Sequence, residues 1–268
     1  MRLALTFTAL ALSLTACASA PDGHVSSLSS TEQLTPGKAG RTTTREYRDT
    51  AALNQVKRVY LHPTRLATGK TTRYVLKDNE KTLVLSEVEA QLCFELAERY
   101  EMVSDRAQSD AEVHSAVTWF EPTGTAGSGA AAVANFFIPG PLGFRLPGTL
   151  GGLGAEAEMT VKDRQVAAIV WARQAQALGT DSPSLSRLGD ALQFAEPFGD
   201  DAARVMSPEP LPPARKYTSA TDPCAAYGGR INETGFIIDR VTGLYVPATR
   251  PQKTSEKAPG ATPEAQKD

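Results

Sequence analysis

The chain has little cysteine, little histidine and almost no excess of charge, although it is 268 residues long. Three cysteines are too few for a disulfide-dense scaffold. The three histidines, His24, His62 and His114, are far apart and none has zinc-ligand spacing, so no metal site is expected. Lys and Arg number 28 against 30 Asp and Glu, which removes the basic excess a nucleic-acid partner would need. Catalytic signatures are also missing. No Gly-x-Ser-x-Gly elbow follows a buried strand, and no Walker sequence occurs. Gly152-Leu153-Gly154 with Ala157 spells a loose dinucleotide pattern, but the alternating residues after it read as a strand where a helix is required. Neither an enzyme nor a cofactor is expected. What remains, 41% hydrophobic and 22% charged residues, suits a chain that buries a core.

The first segment reads as an address. Arg2 precedes an uncharged apolar run, Leu3 to Ala16, which is too short to span a bilayer. It ends Leu14-Thr15-Ala16-Cys17, which resembles the lipobox of bacterial lipoproteins. That resemblance implies removal of residues 1–16, a diacylglyceryl group on Cys17 and acylation of the new terminus. Several acyl chains on one residue anchor stably, where a single chain is marginal. Ala18, in place of Asp, favours the outer membrane under the sorting rule for such proteins. Residues 17–48, rich in Ser and Thr, read as the lipidated cysteine and a flexible tether of root-mean-square reach about 30 Å. Residues 250–268 read as a disordered tail.

Between these ends the pattern predicts one α+β domain over 49–206. Val56, Val59, Tyr60 and Leu61 give a short strand ending at His62-Pro63. Leu85, Val88, Leu92, Leu96 and Tyr100 recur at three- and four-residue steps and predict a helix over about 82–99, with Glu87, Glu95 and Glu98 mostly on its outer face. Ser86 and Glu89 have capping-box spacing. A strand over 100–104 follows, and residues 111–120 alternate as a longer one, with Glu112 and His114 on its exposed face. Residues 155–162 and 166–174 predict a hairpin, on which Glu156 and Glu158 read as a solvated face. A second helix starts after Ser182-Pro183-Ser184, buries Leu185, Leu188, Leu192 and Ala195, and breaks or kinks at Pro197. Residues 207–249 read as a Pro-rich linker followed by a C-terminal β-hairpin, 235–239 against 243–246.

One stretch breaks every pattern. Residues 122–154 hold nine of the 21 glycines, four prolines and a single charged side chain, Arg145. Inserts of this length are mostly functional or mobile. Phe136, Phe137, Ile138, Leu142, Phe144 and Leu146 make it a possible apolar contact surface, or a hairpin extension whose rings fold back on the core. With Cys17 lipidated in an oxidising compartment, Cys93 and Cys224 are disulfide candidates, the alternative being two unpaired thiols.

The order of motifs carries a wider resemblance. It runs from lipobox and tether through Val59-Tyr60-Leu61, a helix ending Glu98-Arg99-Tyr100, and the strand Asp110-Ala111-Glu112-Val113-His114-Ser115-Ala116-Val117-Thr118. A Gly-rich insert, the Glu156-Ala157-Glu158 strand, its return strand and a last helix follow. Over about 45–206 this is similar to the uncharacterised proteobacterial lipoproteins grouped as domain of unknown function 3313. The resemblance implies a periplasmic domain with a small mixed or antiparallel sheet and two packed helices, and it carries no catalytic residues. The expected role is a non-catalytic binding or scaffolding lipoprotein, held at the outer membrane by its lipid and meeting an envelope protein partner. The alternative is an auxiliary lipid- or ligand-handling lipoprotein of an envelope transport system.

Overall fold

Three strands between residues 111 and 174 build the centre of the fold because their apolar and polar residues alternate, and the last two are joined by a short turn. In the computed structural model, β6 (Ala111–Glu121), β8 (Gly152–Val161) and β9 (Arg164–Gln174) form an antiparallel meander. The β8–β9 turn is the pair Lys162-Asp163, both at positive φ (51° and 61°), the backbone of a two-residue hairpin loop. The structure describes residues 27–37, 40–67, 74–124, 143–144, 150–176, 178–179, 181–182, 184–230, 237–238 and 244–247.

The sheet is larger than the small one expected. Of its eight strands seven run β1-β2-β9-β8-β6-β3-β5, where β1 is Thr35–Pro36, β2 Thr43–Arg48, β3 Arg58–Leu61 and β5 Glu101–Met102; the eighth, β4 (Arg65–Leu66), pairs with β6 off this path. The β1-to-β6 side is antiparallel, whereas β3, β4 and β5 join in parallel, so the sheet is mixed. The tether expected over 17–48 is corrected here. Thr35–Pro36 and Thr43–Arg48 within it are strands, with β2 paired to β9 over six residues. Between β2 and β3, Asp49 caps the short α1 (Thr50–Leu53) by accepting from the Ala52 N–H at 3.0 Å.

Trp119 accounts for the glycines at the start of β8. A register shift between Val117 and Trp119 turns Phe120 into the core. The indole of Trp119 lies on β8, where a Cβ on Gly152 would stand 2.3 Å from the ring and one on Gly154 2.9 Å from its Cβ. The insert therefore ends before Gly152, not at 154, and its last glycines are strand residues with nothing to spare above them.

Two helices cover one face of the sheet. The first, α2 (Asp78–Ala97), starts four residues earlier than expected, because the Glu80 carboxylate accepts the Lys77 N–H at 2.9 Å and caps the first turn. Of its expected outer face, Glu87 is buried while Glu95 and Glu98 are part-exposed, and Glu89 and Gln91 are buried with Val88, Leu92 and Leu96. The second, α3 (Gly189–Met206), runs unbroken through Pro197. An internal proline costs a helix about 3 kcal/mol. Phe194 and Phe198, both fully buried, and the close approach of Gly199 to Gln91 on α2 offset that loss. On the sheet side the Trp171 indole N–H donates to Asp201 at 2.9 Å.

Where α2 and α3 meet, the carboxyl of Glu95 interacts with that of Asp200. Burial, then the charges of Asp200 and Glu98, push Glu95 up to about 7. A raised carboxyl favours the fold when protonated, so its contribution is complete below its usual range and is lost as pH rises through about 7. A shift of this size corresponds to roughly 3 kcal/mol. The side chain is only half-buried, so screening leaves about 1–2 kcal/mol. Urea titrations should show stability falling between pH 5 and 8 by about that amount, and Glu95→Gln should flatten the decline.

Candidate functional site

The C-terminal segment is a belt over α2. Cys93 and Cys224 are bonded across a sequence separation of 131 residues. The last turn of a helix leaves carbonyls without partners, and the belt supplies donors to them. The Arg230 guanidinium donates to the Phe94 carbonyl at 2.9 Å, the Tyr217 hydroxyl to that of Ala97 at 2.9 Å and the Arg215 N–H to that of Glu98 at 3.0 Å. Asp222 holds Arg230 in place through two hydrogen bonds. Glu89, buried on α2, accepts the Tyr227 hydroxyl through one oxygen and the Thr64 N–H, at 3.0 Å, through the other. Burial and the neighbouring carboxylate push the Tyr227 hydroxyl up, so it stays a donor. The belt is why Glu89 can be buried on α2. A C-terminal hairpin is not shown, since residues 231–236 and 239–243 lie outside the described residues.

A second strap crosses the opposite face. Glu156 and Glu158, expected to be solvated, are 1% and 6% exposed. The N–H and hydroxyl of Ser27 both donate to Glu156 (2.7 and 3.0 Å), and those of Ser29 both donate to Glu158 (2.9 and 2.6 Å). Gln165 adds a donor to Glu158 and another to the Ser30 carbonyl. Glu156 and Glu158, two residues apart on β8, share one face of that strand, so the two serines meet both from one side. Charge-assisted hydrogen bonds of this kind are about twice as strong as neutral ones.

The apolar insert is rooted at the far end of the β6–β8 hairpin. Asp190, fully buried at the start of α3, accepts the Gly151 N–H at 2.7 Å, and its own N–H donates to Thr123 Oγ1 at 3.0 Å. Both stems are thus tied to one residue. Of the expected contact surface, Phe136, Phe137, Ile138, Leu142 and Leu146 lie outside the described residues. Phe144 sits in β7 (Gly143–Phe144), paired with Leu178 of β10 (Leu178–Gly179) in a separate two-stranded sheet. Cys17 also lies outside the described residues.

The histidines overturn the expectation that they are scattered. Parallel pairing of β3 with β6 sets Tyr60 opposite Glu112, and the His62 N–H donates to the Val113 carbonyl at 2.9 Å. His62 and His114 stack with ring centroids 4.0 Å apart and 16° between planes. Glu112 Oε2 lies 2.7 Å from His62 Nε2 and 3.9 Å from His114 Nε2, while Oε1 accepts from Arg106 Nε at 2.7 Å. Hydrogen bonds from Arg106 and His62 outweigh burial and hold the Glu112 carboxyl below its usual range. Burial, then the adjacent His62, lowers His114. The two histidines are 52 positions apart in the sequence, and only the parallel strand order, which alternation does not reveal, joins them.

With this geometry in hand, comparison places the chain. A family model described as "Protein of unknown function (DUF3313)" matches residues 24–202. The chain belongs to the DUF3313 family. The match opens at residue 24, ahead of the expected 45, and so takes in the Ser27–Ser29 strap as part of the DUF3313 domain. The DUF3313 chain is also similar to two solved structures. One is the PelC dodecamer from Paraburkholderia phytofirmans, at 11% identity and TM-score 0.36, covering 63% of this chain and 99% of that one. The other is a DUF4136 family protein from Bacteroides thetaiotaomicron, at 10% identity and TM-score 0.31, with the same coverage of each. No curated protein matches. Among the described residues, no helix is long and apolar enough to cross a membrane.

Proposed function

We propose that this protein is an outer-membrane lipoprotein, anchored through Cys17, with its domain in the periplasm and a non-catalytic binding or scaffolding role in the cell envelope. The observation that carries the reading is the Leu14-Thr15-Ala16-Cys17 motif after a short uncharged run. Two features of the fold support it and sharpen it. Ser27 is already fixed to the sheet, so only nine residues, 18–26, separate Cys17 from the domain. Even fully extended, that span holds the domain within about 35 Å of the bilayer. The strap also runs from Glu158 at Ser29 to Glu156 at Ser27, toward Gly152, the end where the insert is rooted. Ser27 thus lies toward the end of β8 where the stems Thr123 and Gly151 meet Asp190, and that end faces the membrane in this reading. An envelope partner engaged there would meet a rigid platform on a short leash.

The test is fractionation of cells expressing the full chain. Wild type should sediment with outer membranes and enter the detergent phase. Cys17→Ala should lose the anchor and move, by more than tenfold in ratio, to the soluble periplasmic fraction. Equal partition of the two proteins would refute the lipid anchor.

A further inference from the structure

The geometry points to a divalent-metal site of the zinc class at His62, Glu112 and His114. Their ligand atoms, two imidazole nitrogens and one carboxylate oxygen, all lie within 4.8 Å of one another. A zinc ion with bonds of about 2.0–2.1 Å sets tetrahedral ligands about 3.4 Å apart. The observed separations from Glu112 Oε2, 2.7 and 3.9 Å, bracket that value. The stacked rings must tilt toward each other for one ion to lie in both ring planes.

Three further observations favour an ion here. The backbones are fixed, since β3 and β6 are hydrogen-bonded neighbours and His62 extends their ladder. The carboxylate is oriented from behind: Arg106 takes Oε1 and leaves Oε2 toward the histidines, the arrangement by which outer partners position a monodentate ligand. The side chains are 24%, 20% and 30% exposed, open to an ion from solvent yet held in place. Three protein ligands leave a fourth position for water or for a donor from a partner. The site lies on the same sheet face as the Ser29–Glu158 strap, with His114 opposite Glu158 in register.

The test uses the purified, disulfide-bonded chain and Zn²⁺ alone, measured by competition with a chromophoric chelator. One equivalent should bind with a Kd of about 1 µM or tighter. His62→Asn, His114→Asn and Glu112→Gln should each weaken binding at least tenfold, and His24→Asn should leave it unchanged. In wild-type protein, nuclear magnetic resonance should show Zn²⁺ shifting the imidazole signals of His62 and His114 and not that of His24, a readout independent of how the variants fold. Wild-type binding weaker than about 100 µM, variants that bind as wild type does, or unmoved His62 and His114 signals would overturn the site.

Discussion

Cys93→Ser should lower the stability of the folded domain by about 4–5 kcal/mol in the chain-entropy account of disulfides. The bond closes a loop spanning 131 positions, and opening it frees that length of chain in the unfolded state. For a domain of this size the loss corresponds to a fall in melting temperature of about 10–15 °C. Thermal unfolding of wild type with and without reductant should reproduce the same difference. Cys224 is fully buried, so the freed thiol should react with a labelling reagent only as the belt lifts from α2. Labelling should therefore be slow in the native variant and accelerate with mild denaturant. Equal melting temperatures for the two proteins would mean that the belt holds without its covalent link.

Glu89→Ala should cost about 3–4 kcal/mol, because it leaves two buried donors without their acceptor. The Thr64 N–H and the Tyr227 hydroxyl both point at this carboxylate, and both residues are buried. Tyr227→Phe removes only one donor and leaves Glu89 with Thr64, so a loss of about 1–2 kcal/mol is expected. Both Glu89 and Cys93 tie the same belt to the same helix. Once one tie is gone, the other secures less, so the double variant Cys93→Ser with Glu89→Ala should lose less than the sum of the two. A denaturant-based double-mutant cycle measures this directly. Strict additivity would show that Tyr227 and Cys224 are held independently.

The parts of the fold that were legible in the sequence rest on local patterns. Alternation marks residues 111–120, 155–162 and 166–174, and the three strands form there because period-two burial needs only a near neighbour across the ladder. The 3.6-residue recurrence of Val88, Leu92 and Leu96 marks α2 for the same reason. What the pattern hides is non-local. The Thr-rich β2 carries too little apolar signal to stand out from a tether, and its place comes from pairing with β9. Glu87, Glu156 and Glu158 look solvated because a charge pattern does not reveal what will cover it. Pro197 looks like a stop because the packing that outweighs it comes from α2 and the sheet.

The candidate sites divide along the same line. Cys93 and Cys224 were readable from the count of thiols together with the oxidising compartment expected from the lipobox. The His62, Glu112 and His114 group was not, because a parallel neighbour has no short connection to announce it. A hint was present in the sequence. Val59-Tyr60-Leu61-His62 and Ala111-Glu112-Val113-His114 are matching strand fragments, and laying them side by side in parallel brings the two histidines together.

The central claim, a domain held at the membrane by a lipid on Cys17, is tested most directly at the mature N-terminus. Mass spectrometry of the N-terminal peptide from membrane-extracted protein should find a chain beginning at Cys17 and carrying the mass of a diacylglyceryl group plus an amide-linked acyl chain. A mature chain beginning elsewhere, or beginning at an unmodified Cys17, would contradict the account.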